Sequence, residues 1–341
     1  MKLIELHILQ SFPVSCLNRD DVGSPKTAVF GGVQRARISS QCLKRAARLA
    51  ASDGAPGFEG IRSRFLAEPF TSALIAAGMT PEDAAKKAAE LCAVFSKQDT
   101  KKPDQVTTAV YLSPGEIKEI AIAVAGGDEP KKATKNAGRL DAADIALFGR
   151  MVANDATLNV EGAAMFSHAL STHKAANDID FYSSVDDRKA DSEDAGAGMI
   201  GTLEFTSATY YRYAAVNLDL LFSASHLGKL DAAQRKAVLD AFIRATLMAV
   251  PGARKNSMNA ATLPFEVLGV LKEKGQPVQL INAFEKPVRA NGNGLAETSL
   301  EAMKAQLTEL KRIWSIEHTK EVWLTESGLD TFLLTLIDHV E

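Results

Sequence analysis

Phe30 to Arg45 reads FGGVQRARISSQCLKR, and the organisation of the whole chain follows from how these residues fold. Gly31 and Gly32 end a loop, SFPVSCLNRDDVGSPKTAVFGG, rich in Ser, Pro, Gly and Asp. Arg35 and Arg37 alternate with Ala36 and Ile38, the period of a short extended segment. Ser39 or Ser40 then supplies a side-chain oxygen to cap a helix beginning at Gln41. On that helix Leu43, Ala47 and Ala50 make an apolar stripe, while Lys44, Arg45 and Arg48 lie off it.

Charge singles out the same region. From Leu17 to Arg48 there are seven basic residues, Arg19, Lys26, Arg35, Arg37, Lys44, Arg45 and Arg48, against Asp20 and Asp21, a local balance of +5 in a chain whose formal net charge is −3. The overall balance excludes a protein that coats nucleic acid indiscriminately, but not one with a single basic groove, because binding follows local potential. A helix N-terminus preceded by glycines and serines suits phosphate oxygens. The pattern GxxxxGK[ST] is missing, which argues against nucleotide hydrolysis. No aromatic residue stands between Gly31 and Arg48, so the segment offers phosphate-type contacts rather than base-stacking platforms. The competing reading is a solvated basic helix face that makes only surface ion pairs.

The chain has 341 residues, 46% of them hydrophobic, enough for one large domain with insertions or for two domains. Its first residues, MKLIELHILQ, alternate as a half-buried strand and lack a signal-peptide cleavage site. With no apolar run of membrane-spanning length, the expectation is a soluble, cytoplasmic protein. Cys16, Cys42 and Cys92 are odd in number and have no zinc-ligand spacing, so neither a disulfide framework nor a bound metal or other cofactor is expected. Residues 60–150 read as alanine-rich helices dotted with lysines, one starting at Thr80-Pro81 and another, DAADIALFGRM, opening at Asp141. Strand signals return at 163–173 and 202–218, flanking the acidic, glycine-rich RKADSEDAGAGMIG with its apolar pair Met199 and Ile200. A helix from Asp231 to Val250, the basic loop PGARKNSMN, a strand near 265–272 and two late helices complete the chain. This order predicts an α+β fold with a small sheet and an inserted helical lobe.

Several long motifs carry a resemblance. SCLNRDD (Ser15 to Asp21) and FGGVQRARISSQCLKR are followed by DIALFGRM (Asp144 to Met151), GAAMFSHALSTH (Gly162 to His173) and DIDFYSSVDD (Asp178 to Asp187). GTLEFTSATYYRYA (Gly201 to Ala214), VPGARK (Val250 to Lys255) and NAFEKPV (Asn282 to Val288) extend the series. Together they resemble the CRISPR-associated CasC family, the repeated backbone subunit of the type I-E Cascade complex of antiviral defence.

The resemblance implies a hand-like fold. A modified RNA-recognition-motif (ferredoxin-like) palm would comprise 1–58, 155–188 and 206–341, with a helical finger insertion at 59–154 and a β-hairpin thumb at 189–205. It also implies a non-catalytic function: copies of the chain line up along a CRISPR RNA, grip its backbone and leave its bases free for target DNA. Partners would be that RNA, target DNA through it, further copies, and the large, small, cap and RNA-processing subunits. The guide-gripping motif falls on Arg19, Lys26, Ser39, Ser40, Gln41, Lys44, Arg45 and Arg48, with Arg37 either gripping or bracing the loop. The basic loop adds Arg254 and Lys255. Met165 falls where the family sets an apolar side chain against bases, its alternative role being core packing. Met199 and Ile200, with Thr202 nearby, would form the thumb's tip. Lys131, Lys132 and Lys135 are candidates for attracting target DNA.

Other residues raise different chemistry. Asp20 and Asp21 beside an RNA groove would suit a metal-dependent RNA endonuclease, although adjacent residues of an extended segment point apart. The alternative is that one of them pairs with Arg19, Arg35 or Arg37 to shape the loop. His168 and His173 would face opposite sides of a strand, poor geometry for a shared metal. The aromatic TYYRYA at 209–214 could stack bases, yet such a stripe more often belongs to a sheet core.

Overall fold

The computed structural model describes residues 1–341 except 54, 56, 140, 185–198 and 341, and only the backbone at 184, 199 and 200. In chain order the strands are β1 (Leu3–Ser15), β2 (Thr27–Phe30), β3 (Val33–Ile38), β4 (Ile61–Ser63), β5 (Val110–Leu112), β6 (Ala164–Phe166), β7 (Ala169–Ser171), β8 (Asp178–Ser184), β9 (Met199–Asn217), β10 (Glu266–Lys272) and β11 (Lys320–Trp323). The helices are α1 (Ser40–Ser52), α2 (Ala67–Ala76), α3 (Pro81–Phe95), α4 (Pro114–Ala125), α5 (Pro130–Asn136), α6 (Ala143–Phe148), α7 (Leu218–Leu221), α8 (Ala232–Met248), α9 (Gly294–Trp314), α10 (Leu324–Ser327) and α11 (Leu329–Ile337). Among the described residues, no helix is long and apolar enough to cross a membrane.

One antiparallel sheet organises the protein, in the order β11-β10-β1-β9-β7-β3-β2, with β6 and β8 also paired to β9. β1 lies between β9 and β10, with Leu6 opposite Ala214 on one side and Gly269 on the other. The mixed α+β architecture agrees with the sequence expectation, but the sheet expected to be small has nine strands among the described residues. The half-buried reading of β1 fails too, because Leu3 through Gln10 are all buried. Ile4, Leu6 and Ile8 face α8 and α11 in one core, built with Leu239, Phe242 and Phe332. Leu9 shares the opposite face with Tyr211, Tyr213, Leu268 and Val270, beneath Phe284 of the turn Ile281–Phe284 and Met303 of α9.

The polar residues of β1 are therefore interior, and each has partners. Glu5 accepts hydrogen bonds from the Tyr213 hydroxyl at 2.6 Å and the Val278 amide at 2.7 Å, and its other oxygen meets Lys272 Nζ at 2.5 Å. His7 Nδ1 lies 2.9 Å from the Tyr211 hydroxyl, which accepts from the Leu280 amide. Burial, aided by Lys272 and His318, lowers the His7 pKa to about 3, so the ring is neutral.

α1 follows β3, and α8 follows β9 after the short α7; α1 and α8 pack on each other, on the sheet face opposite α9. The buried stripe of α1 is Leu43, Ala47 and Ala51. The expected Ala50 gives way to Ala51 because the i, i+4, i+8 series stays on one face. The 163–173 strand is split into β6 and β7 around Ser167 and His168.

Between α1 and β6 the chain forms a helical segment with its own core of Phe70, Leu74, Leu91, Phe95 and Ile120. Phe70 and Phe95 stack with ring centroids 5.9 Å apart. Thr80 caps α3 as the sequence indicated, accepting from Asp83 N. Asp141, in contrast, does not open a helix. Its carboxylate accepts from Ser113 Oγ at 2.7 Å and from the Gly115 amide at 2.6 Å, so it fastens the start of α4, and α6 begins later at Ala143. The ribbon of β8 and the first part of β9 pairs Asp178 with Phe205 through Ser184 with Met199. Positions 189–198 of the expected thumb, and the side chains of Met199 and Ile200, lie outside the described residues.

The Glu5–Lys272 pair gives a stability test. Lys272→Met strands a buried carboxylate and is expected to cost about 3–5 kcal/mol in urea unfolding. The double variant Glu5→Leu/Lys272→Met should recover most of that loss. Equal stability of Lys272→Met and the parent would show the pair carries no weight.

Candidate nucleic-acid interface

The stretch Phe30–Arg45 folds as a hairpin running into a capped helix. Gly31 and Gly32 have φ of 60° and 75°, the positive pair that a two-residue type I′ turn between β2 and β3 requires. A Cβ on Gly31 would sit 1.7 Å from the Glu285 carbonyl oxygen, whereas Gly32 has open space.

Arg35 is completely buried. Its Nε donates to Phe30 O at 3.1 Å, Nη1 to Ser171 O at 3.0 Å, and Nη2 to Phe284 O at 2.7 Å and Glu285 O at 3.1 Å. Burial lowers its pKa, with Glu285 opposing. Arg35 is thus a structural tie and not part of the exposed charge. Arg37 Nε donates to Thr27 O at 3.0 Å, the bracing alternative of the sequence reading.

Ser39 caps α1, its hydroxyl accepting from Cys42 N at 3.3 Å and its amide donating to Asn18 Oδ1 at 2.8 Å. Ser40 N donates to His168 Nδ1 at 3.2 Å. Two of the amides that open the helix are therefore already satisfied by protein. Asp20 shapes its loop through backbone: Oδ1 accepts from Val22 N at 3.0 Å and Ser24 N at 2.9 Å. Among the described residues no ion pair joins Asp20 or Asp21 to Arg19, Arg35 or Arg37, which corrects the pairing expected from sequence. The backbone amides are nearer and need no side-chain ordering. His173 is likewise held structurally, Nε2 accepting from Thr209 N at 3.2 Å.

The charge left over gathers in a groove of about 790 Å³ between α1 and the helical segment. One wall is Gln41, Lys44, Arg45 and Arg48 of α1. The other includes Arg62 of β4, Tyr111 of β5, and Phe148 to Met151. Among the described residues, no carboxylate lines it. Lys44 Nζ lies 5.9 Å from the Phe166 ring centroid, and burial lowers its pKa. The Arg48 guanidinium lies 5.3 Å over the Tyr111 ring. Both contacts hold a cation against an aromatic face. Arg45 and Arg62 are exposed, and Met151 is 78% exposed. Behind the wall, burial raises the Asp144 pKa, with Tyr111 and Arg48 among the groups opposing it.

The remaining predicted residues lie outside this groove lining. Arg19 and Lys26 flank the Asp20 turn, Arg19 bridged to Pro25 and Lys26 N donating to Asn18 O. Arg254, with φ of 54°, and Arg19 both act on the Cys16 thiol, opposing the rise that burial imposes. Lys255 and Thr202 are exposed. Met165 is half-buried and packs on the core that contains Leu9 and Tyr213. Lys131, Lys132 and Lys135 are exposed on α5, with Lys132 Nζ 2.8 Å from Asp128. Tyr210, Tyr211 and Tyr213 are buried, so the TYYRYA stripe is sheet core.

Sequence reading missed Arg62, Tyr111 and Arg150. The last stands in DIALFGRM, a motif recognised as part of the resemblance but given no role. Aromatic rings reach the basic helix after all, from distant parts of the chain that a window of adjacent residues does not include.

The chain belongs to the CT1975-like protein family (Cas_CT1975), whose model matches residues 4–335. It is similar to a chain of a solved "CRISPR RNA-guided surveillance complex, pre-nicking", with 28% identity, a TM-score of 0.75, and coverage of 93% of this chain and 90% of that one. A second similar chain, from a "CRISPR RNA-guided surveillance complex", shows 25% identity and a TM-score of 0.60 over 94% and 88%. No match was found among curated proteins.

The two turn glycines should separate sharply. Gly31→Ala is expected to lower the melting temperature by several degrees, because backbone at Glu285 must move. Gly32→Asn should change it little, since asparagine tolerates positive φ. Comparable melting of the two variants would contradict this account of the turn.

Proposed function

We propose that this chain is a non-catalytic guide-RNA-binding backbone subunit of a type I-E Cascade-like complex, of the CasC kind. Copies of it would assemble along one CRISPR RNA, beside large, small, cap and RNA-processing subunits, and leave guide bases free for target DNA. The observation that carries the reading is the groove: Lys44, Arg45, Arg48 and Arg62 line one cleft that has no carboxylate among the described residues, in a chain of net charge −3. Such a cleft suits a phosphodiester backbone, which supplies affinity without reading sequence.

The topology supports an RNA-recognition-motif-like palm. β1, α1, β7, β9, α8 and β10 give strand–helix–strand–strand–helix–strand, with the strands ordered β10-β1-β9-β7. An RNA-recognition motif stacks bases on its open sheet face. Here α9 covers that face, and Tyr211 and Tyr213 are buried under it. RNA is therefore gripped from the side, along α1. In this reading Arg19, Lys26, Arg254 and Lys255 extend the basic path beyond the groove, and the β8–β9 ribbon forms the thumb's stem. Catalysis by Asp20 is disfavoured because its Oδ1 already holds two loop amides.

Co-expression with a CRISPR array and its processing machinery tests this. A large particle carrying one discrete RNA, with no RNA cleavage in any divalent metal, is the expected result. A nucleic-acid-free particle would refute it. Lys44→Ala and Arg45→Ala should weaken binding to all single-stranded sequences alike, with the salt slope falling by roughly 0.7 per lost phosphate contact. A change in sequence preference would count against backbone gripping.

A further inference from the structure

The helical wall of the groove carries cations that the guide-gripping motif does not include. Arg62 pairs with Tyr111 across the β4–β5 ladder, so the two side chains share one face of that ribbon. Tyr111 is the ring over which Arg48 lies, so this face looks toward α1. Arg62 is exposed, and among the described residues it has no ion pair.

Arg150 adds a second, independent observation. It lines the groove while only 5% exposed. Its Nε donates to Leu158 O at 3.1 Å, and Nη1 donates to Tyr111 O at 3.2 Å and reaches both Glu116 oxygens at 2.7–2.8 Å. Its Nη2 is buried with no hydrogen-bond partner. Glu116 also faces Arg139 at 3.4 Å, so one carboxylate serves two guanidinium groups. A buried donor left unmade is costly and calls for an explanation, a bound ion or other anionic group being one.

We propose that Arg62 and Arg150 form a phosphodiester-binding site on the helical wall, opposite Lys44, Arg45 and Arg48, so that the guide strand is clamped from two sides. The site rests on the guide-RNA reading and deepens it. Arg62 supplies an exposed fork of donors and Arg150 a fixed one, held in place by Glu116. The Tyr111 backbone connects them, through the β4–β5 ladder on one side and its carbonyl to Arg150 on the other. Guide and target strands present the same phosphodiester chemistry; continuity of the groove with α1 favours the guide.

The test is fluorescence anisotropy of the full chain with fluorescein-labelled single-stranded RNA of mixed sequence, and with DNA of the same sequence, across a salt series. Arg62→Ala is expected to weaken RNA binding about tenfold and reduce the salt slope by roughly 0.7, matching Lys44→Ala. Arg150→Lys, which keeps a charge for Glu116 while losing the Nη2 donor, should weaken binding with the melting temperature within a few degrees of wild type. If it fails to fold, Arg62→Ala decides alone. Wild-type-like RNA binding by Arg62→Ala, beside a weakened Lys44→Ala, overturns the second wall and leaves the guide reading intact. Weakening confined to DNA overturns the assignment to the guide strand. No RNA binding by the wild type overturns both.

Discussion

The Arg35 guanidinium is the tie on which the rest of the basic stretch depends. It gathers four carbonyl oxygens from three separate parts of the chain: Phe30 beside the hairpin turn, Ser171 at the end of β7, and Phe284 with Glu285 above the sheet. Among the described residues Arg35 makes no ion pair, although Glu285 acts on it from a distance; such a buried cation is tolerable where fixed dipoles replace water, and four carbonyls do that here. The same Glu285 carbonyl closes over Gly31, leaving no room for a side chain. FGGVQRARISSQ, GAAMFSHALSTH and NAFEKPV are thus three motifs of one junction. That junction fixes β3, and β3 leads directly into the cap of α1.

Where the remaining charge goes is set by what the sheet cannot expose. β1 is buried on both faces, with α8 and α11 on one side and α9 on the other. Neither face is open to a ligand, so polar residues that enter the sheet are consumed by internal pairs such as Glu5–Lys272. The free cations are pushed to the rim, onto α1 and the neighbouring edge of the helical segment. There Phe166 and Tyr111 support Lys44 and Arg48, trading chain flexibility for direction.

Much of this was legible from sequence because local rules and tertiary packing agree. A serine cap before α1, the Thr80-Pro81 helix start and the α+β order all rest on short-range chemistry, whereas the loop expected up to Gly32 instead holds the end of β1 and all of β2, which pairs with β3. The other failures share one cause, a contact between distant residues. Alternation made β1 look half-buried because Glu5 and His7 are polar; their partners, Lys272 and Tyr211, are more than 200 residues away. Asp141 looked like a helix opener and instead serves α4, 26 residues earlier. Arg35 was counted with the free charge because nothing adjacent to it reveals four distant acceptors. In the groove, α1 was visible as a basic helix, but its opposite wall was not. Arg62 stands in an unremarkable IRSR, and Tyr111 in a short VYL.

The groove also has an electrostatic consequence for the free protein. Lys44, Arg45, Arg48 and Arg62 share one cleft, and among the described residues no carboxylate lines it to relieve their repulsion. Aromatic faces soften this, and Asp144 stands behind Arg48, its own pKa raised by burial. Burial lowers the Lys44 pKa. Like charges held together without counter-charge cost folding free energy, and a polyanion that binds only the folded chain returns it by mass action. In a chain whose formal net charge is −3, the cleft is a local concentration of positive charge.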